Sequence, residues 1–235
     1  MNPKESIIYF AASLFNGRES YFNSHLTALL EKRFEKINLP QREGFEFGNL
    51  NKELVKFMPQ EEASSALKKI IYLYDLGKME LNSDLILANL DEPLDPGVDI
   101  ELCFGKEINI PRIGFRTDVR PVYGTLDDET RGGHFFPIYQ CDSFIHHAMP
   151  CKTLEEANSN LEQLANKIEK AVLFTEKTNK RILSPSPNAK NIMTRANYLF
   201  SMPHDVHSEQ GLKTISQRYF DSKDEIDLIL PKIIR

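Results

Sequence analysis

The sequence predicts an α/β fold in which a parallel sheet is covered by helices on both faces. Three observations predict it. Continuous apolar, β-favouring runs stand at residues 6–12 and 84–90. Stripes of helical period separate them at 19–34 and 64–74. Polar residues able to do chemistry gather just after the expected strands, where an open parallel sheet binds its ligands.

Residues 6–12 read as the first strand, because Ile7, Ile8, Tyr9 and Phe10 form an unbroken run suited to burial on both faces. Ser13-Leu14-Phe15-Asn16-Gly17 is the loop at its carboxyl end. Over 19–34, Phe22, Leu26, Leu29, Leu30 and Phe34 recur mostly three or four apart, the stripe of an amphipathic helix. A short second strand follows at 36–39, closed by the loop residues Pro40-Gln41-Arg42-Glu43-Gly44. Residues 64–74 read as a helix and 84–90 as the third strand. Asp95-Pro96-Gly97-Val98-Asp99-Ile100-Glu101 then sets two carboxylates six residues apart across a glycine, as a strand, loop and new helix would. That helix is expected over 98–109, with Glu101 in its first turn. Residues 111–115 make a fourth strand ending at Arg116-Thr117-Asp118-Val119-Arg120.

Residues 121–150 break the rhythm and read as a long loop with a functional or intersubunit role. Helical period returns over 153–174 through Leu154, Ala157, Leu161, Leu164, Ile168 and Val172, opened by a capping box of Thr153 and Glu156. Ser184-Pro185-Ser186-Pro187 marks a linker, followed by short helices at 191–200 and 212–219. The expected organisation is therefore a catalytic domain over 1–176 and a helical extension over 177–235, packed on that domain or on a neighbouring subunit.

At 235 residues the chain can bury one sizeable core. A net charge of −5 argues against the broad basic surface of a nucleic-acid binder. Cys103, Cys141 and Cys151 are odd in number and unpaired in spacing, which suggests neither a disulfide framework nor a zinc ribbon and fits a cytoplasmic protein. No run is long enough to span a bilayer, and the first residues carry no secretory pattern.

The carboxyl-edge residues are Tyr9 and residues 13–16 from the first strand, Gln41 and Arg42 from the second, Asp95 and Glu101 from the third, and Arg116, Asp118 and Arg120 from the fourth. Asp75 precedes the third strand on its helix. Glycine-rich phosphate motifs are missing, so dinucleotides and nucleoside triphosphates are poor candidates. An acidic cleft would also repel a phosphate dianion and favour a neutral substrate. Glu101 is the candidate nucleophile, with a purely helix-stabilising carboxylate as the alternative.

Ile8-Tyr9-Phe10-Ala11-Ala12-Ser13-Leu14-Phe15-Asn16, Leu39-Pro40-Gln41-Arg42-Glu43-Gly44, the segment from Asp95 to Glu101 and Gly114-Phe115-Arg116-Thr117-Asp118-Val119-Arg120 resemble, in order, the motifs of nucleoside 2-deoxyribosyltransferases. The resemblance covers roughly residues 6–175. It implies a flavodoxin-like, doubly wound sheet of about five strands and a nucleotide-salvage enzyme that moves 2-deoxyribose from one nucleobase to another. By the same resemblance Glu101 would form a covalent deoxyribosyl intermediate at C1′ with Tyr9 orienting it. Asp75, Asp95 and Gln41 would face the base, Phe15 would crowd C2′, and Asn16 and Gly97 would belong to the substrate loops. Two inversions at C1′ return the original anomer. The substrates would be 2′-deoxynucleosides and free nucleobases, with no cofactor or metal, and the chain would form a homo-oligomer of at least two subunits sharing sites. Two other readings stand beside this one: an N-glycosidase in which water replaces the second base, and a nucleoside-binding module without turnover.

Some residues depart from the family pattern. Cys103 stands at a common glycine position and Gly105 at a common alanine. Gly132-Gly133-His134-Phe135-Phe136 occupies the place of an asparagine-bearing loop that binds the 5′-hydroxyl, so His134 is either its replacement or a packing residue. Asp84 and Asp99 read as solvated or capping residues. Arg116, Asp118 and Arg120 read as an ion-pair network stabilising their loop. His146-His147 and His204-x-x-His207 have no companion carboxylate or cysteine at metal-ligand spacing.

Overall fold

In a computed structural model, residues 3–44, 47–178 and 185–230 are described. Five strands, β1 (Ile7–Ala11), β2 (Lys36–Asn38), β3 (Leu85–Asn89), β4 (Arg112–Arg116) and β5 (Ser143–His146), pair in the order β2-β1-β3-β4-β5. Every pairing is parallel. This is the flavodoxin-like, doubly wound arrangement, whose ligand crevice opens where the strand order reverses between β1 and β3.

Contacts divide the chain into two compact units. One comprises Met1–Arg42 and Asn82–Ser184, the other Glu43–Leu81 and Pro185–Arg235. Residues 43–81, expected within the first 176, thus group with the C-terminal helices, and the first unit is discontinuous in sequence.

The sheet unit carries α1 (Gly17–Leu30), the single turn α2 (Pro40–Glu43), α5 (Pro96–Glu107), the single turn α6 (Phe135–Ile138) and α7 (Leu154–Thr178). The two-residue period of the strands sorts their side chains. Ile8, Phe10, Leu85, Leu87, Ile113 and Phe115 form one core with Leu26 and Leu30 of α1 and Leu161, Leu164, Ile168 and Val172 of α7. The alternate residues, Tyr9 and Ile86 among them, belong to the opposite face, against which α5 packs. Gly105 allows that approach. A Cβ there would stand 2.3 Å from Ile86 Cδ1. Cys103, two residues earlier on α5, is exposed.

The loop expected over 121–150 proves structured, holding α6 and the fifth strand. Its organiser is Arg116, fully buried at the end of β4. Its Nε donates to Asp118 Oδ2 at 2.9 Å, Nη1 to the Arg131 carbonyl at 3.0 Å, and Nη2 to the Arg120 carbonyl. The expected network is therefore one guanidinium binding one carboxylate and two backbone oxygens, with Arg120 contributing its carbonyl. Asp128 fastens the same loop by accepting from Thr125, Thr130 and Gly132, which holds its carboxyl down to about 2.

The helical unit consists of α3 (Phe47–Leu54), α4 (Gln60–Leu81), α8 (Pro187–Phe200) and α9 (Glu209–Ile229). Ser186 and Ser208 cap α8 and α9, so Ser186-Pro187 of the expected linker is a helix start; Ser184 lies outside the described residues. Leu50, Leu54, Ile70, Leu73, Leu199, Ile215 and Ile226 are buried here. Tyr74 Oη meets His207 Nε2 at 3.2 Å. Among the described residues no helix is long and apolar enough to cross a membrane.

Candidate active site

The β1 and β3 ends and the start of α5 border a cavity of about 320 Å³. Ser13, Glu19, Phe22, Asn89, Asp91, Asp95 and Asp118 line it, with Arg18, Glu92 and Pro93. Five carboxylates thus face one guanidinium. Such a field suits a neutral, hydrogen-bonding ligand and opposes an anion.

Asp95 is the N-cap of α5. Its Oδ1 accepts from Gly97 N at 2.7 Å, and Pro96 supplies the preset φ of a first helical residue. A Cβ on Gly97 would stand 2.7 Å from that same oxygen, so the glycine makes room for the cap. The helix starts two residues earlier than the spacing suggests. Glu101 is its sixth residue, in the second turn, and the helix-terminus argument for its ionisation does not hold. A different contact serves it. The Tyr9 hydroxyl, reaching from the α5 side of β1, donates to Glu101 Oε1 at 2.5 Å. Tyr9 is buried and Glu101 half-buried.

Asp91, at the carboxyl end of β3, is a lining residue that sequence reasoning passed over. Its Oδ2 accepts from Thr117 Oγ1 at 2.6 Å, and Oδ1 accepts from the backbone N–H groups of Thr117 and Asp118. Burial pushes its carboxyl above the usual carboxylate value against those hydrogen bonds. Asp118 Oδ2 in turn accepts from Glu92 N at 3.0 Å, so the loops after β3 and β4 are tied together beside the cavity. Glu19 accepts from Ser13 Oγ at 2.6 Å and Phe15 N at 3.0 Å, and the Ser13 hydroxyl holds its carboxyl below the usual range. The signal for Asp91 was available, since it follows a strand end, where the fold binds ligands, as Asp118 does; Glu19 lies in the first turn of α1 after the β1 loop.

Asn16 caps α1, its side chain accepting from Arg18 N and Glu19 N. Phe15 is 79 % exposed beside it. Gln41 is held against α1, with Nε2 donating to the Ser20 carbonyl and Ser24 Oγ and Oε1 accepting from Asn23. His134 caps α6 through Nδ1 and stacks among Tyr123, Phe135 and Phe136. Asp75 lies half-buried on α4, in the helical unit. Asp84 accepts from Ile7 N at 2.8 Å, tying the start of β1 to that of β3. Asp99 is half-buried and is not the cap, which is Asp95. Its Oδ1 is buried without a hydrogen-bond partner, and desolvation raises its pKa, with Glu92 and Asp95 adding to that and His134 opposing it.

A sequence model of the family described as nucleoside 2-deoxyribosyltransferase matches residues 8–135. That span begins in β1 and ends at α6, enclosing the cavity and the Tyr9–Glu101 pair. No curated protein matches the chain.

Proposed function

The chain belongs to the nucleoside 2-deoxyribosyltransferase family, and from that premise we propose that it transfers 2-deoxyribose between nucleobases with Glu101 as the nucleophile. The observation that carries the reading is the 2.5 Å hydrogen bond from Tyr9 to Glu101, on the helix whose cap, Asp95, lines the acid-rich cavity.

In this reading Glu101 attacks C1′ of a 2′-deoxynucleoside as the bond from C1′ to the base nitrogen breaks. Oxocarbenium character grows at C1′ and the surrounding carboxylates stabilise it. The departing base takes a proton from a carboxyl group of the cavity, where Asp91 is the one whose pKa burial raises. A glycosyl ester on Glu101 results. The nitrogen of a second base then attacks C1′, its N–H proton returns to the carboxylate that protonated the first base, Glu101 leaves as a carboxylate, and two inversions give net retention. Tyr9 keeps the attacking oxygen aimed and holds a donor on it throughout. The preponderance of acid in the cavity supports unphosphorylated nucleosides as substrates.

Incubating the protein with deoxyinosine and free adenine tests this. Deoxyadenosine should appear in step with hypoxanthine. Free 2-deoxyribose formed at a rate indifferent to adenine identifies a hydrolase instead, and no base release at all identifies a binding module.

A further inference from the structure

A second depression lies on the sheet unit, at the outer edge of β5, and its charge is the reverse of the first. About 540 Å³ in volume, it sets Arg131, Lys167 and Lys170 against one carboxylate, Glu129, over a floor that includes Phe144 and His146. The whole chain carries a net charge of −5, so three cations converging on one hollow depart from its average.

Two of the cations are held by built-in supports. Lys167 Nζ stands 3.0 Å from His147 Nδ1, while His147 Nε2 stands 3.1 Å from the Asn160 carbonyl. A carbonyl only accepts, so Nε2 carries the ring proton and Nδ1 accepts from the ammonium. Burial and the Lys167 charge lower the His147 pKa, which keeps this buried ring neutral. Lys167 is therefore positioned by a neutral acceptor that leaves its charge uncompensated. Arg131 has a left-handed backbone, φ 52°, uncommon for a side-chain-bearing residue and a frequent mark of functional loops. The loop imposes it: Arg131 Nη1 donates to the Leu126 carbonyl, its own carbonyl accepts from buried Arg116, and Asp128 ties the flanking turns. Its other guanidinium N–H groups and the Lys170 ammonium have no partner among the described residues. Glu129 is engaged by the Tyr139 hydroxyl.

A guanidinium and two ammonium groups around a hollow that Phe144 and Leu126 help to line match a phosphate group attached to a less polar body. We propose that the basic hollow at the β5 edge is a binding site for the phosphate of a small phosphorylated ligand, separate from the acid-rich cavity.

Calorimetric titration of the full chain with inorganic phosphate, AMP and adenosine, at constant ionic strength, tests the assignment. Phosphate or AMP should bind saturably and adenosine should not compete. AMP binding more tightly than phosphate identifies a nucleotide as the source, and equal affinities identify free phosphate; either result supports the site. Lys167→Ala should weaken binding about tenfold or more, the usual loss for a charge-assisted contact. Lys170→Glu, at an exposed side chain, should do the same without altering the thermal melt. Binding unchanged in both variants, or no binding beyond a chloride control, overturns the proposal. The readout is binding, so it stands or falls apart from glycosyl transfer.

Discussion

The Tyr9 hydroxyl and Glu101 Oε1 stand 2.5 Å apart, joining β1 to the second turn of α5. Their meeting follows from two periods. Tyr9 lies on the strand face opposite Ile8 and Phe10, and Glu101 lies on a helix brought close to that face by Gly105. Removing the hydroxyl in Tyr9→Phe keeps the buried ring and deletes one hydrogen bond to a charged group. Turnover of deoxyinosine should fall roughly 10- to 100-fold, the size of such a contact. Steady-state kinetics with the variant check this, and a circular-dichroism melt confirms that the fold persists.

Asp99 makes a prediction of opposite sign. Its carboxyl is raised above its ordinary value of 3.8 by burial, so the folded protein holds the proton more tightly than the unfolded chain does. Stability contributed by this residue is therefore lost as pH rises through the carboxylate range. Asp99→Asn removes the buried charge. It should melt slightly higher than the parent at neutral pH, and the gap should narrow as pH falls through the carboxylate range and Asp99 takes up its proton. Thermal melts across that range measure it.

The Arg116 side chain is fully buried and its partner Asp118 lines the cavity. Arg116→Met strands a carboxylate and two backbone carbonyls. The expected loss is about 3 kcal/mol in urea unfolding, together with faster amide exchange over residues 117–133. Arg116→Lys should recover only part of it, because an ammonium cannot reproduce the fork.

Gly105→Ala tests how closely α5 lies on the sheet. The new methyl would meet Ile86 Cδ1 at 2.3 Å inside a closed core, so a loss of about 1–3 kcal/mol is expected in chemical denaturation. Cys103→Gly removes only an exposed side chain and should cost no more than a helix-interior glycine does, about 1 kcal/mol.

Much of the sheet unit is legible in the chain because its signals are local. The Ile7–Phe10 run marks β1, and the Asp95-Pro96-Gly97 cap marks the start of α5 to within two residues. β5 escapes notice because Ser143, Phe144, Ile145 and His146 are four half-buried residues at an edge, with no apolar run to announce them. The grouping of 43–81 with 185–230 depends on packing between distant segments, such as the Lys69–Asp227 ion pair, which no window of sequence contains. Spacing singled out Asp95 and Glu101; the structure puts Asp95 in the cavity wall and pairs Glu101 with Tyr9. Spacing could not tell that Glu101 is served by Tyr9 rather than by a helix terminus, nor that Asp99 buries one carboxylate oxygen, since both depend on where α5 begins.

The most direct measurement of the central claim is mass spectrometry of protein quenched during turnover of deoxyinosine. A 2-deoxyribosyl adduct on the peptide bearing Glu101, absent in Glu101→Ala and discharged by added adenine, is the expected result. Turnover with no adduct on Glu101, or undiminished in Glu101→Ala, contradicts it.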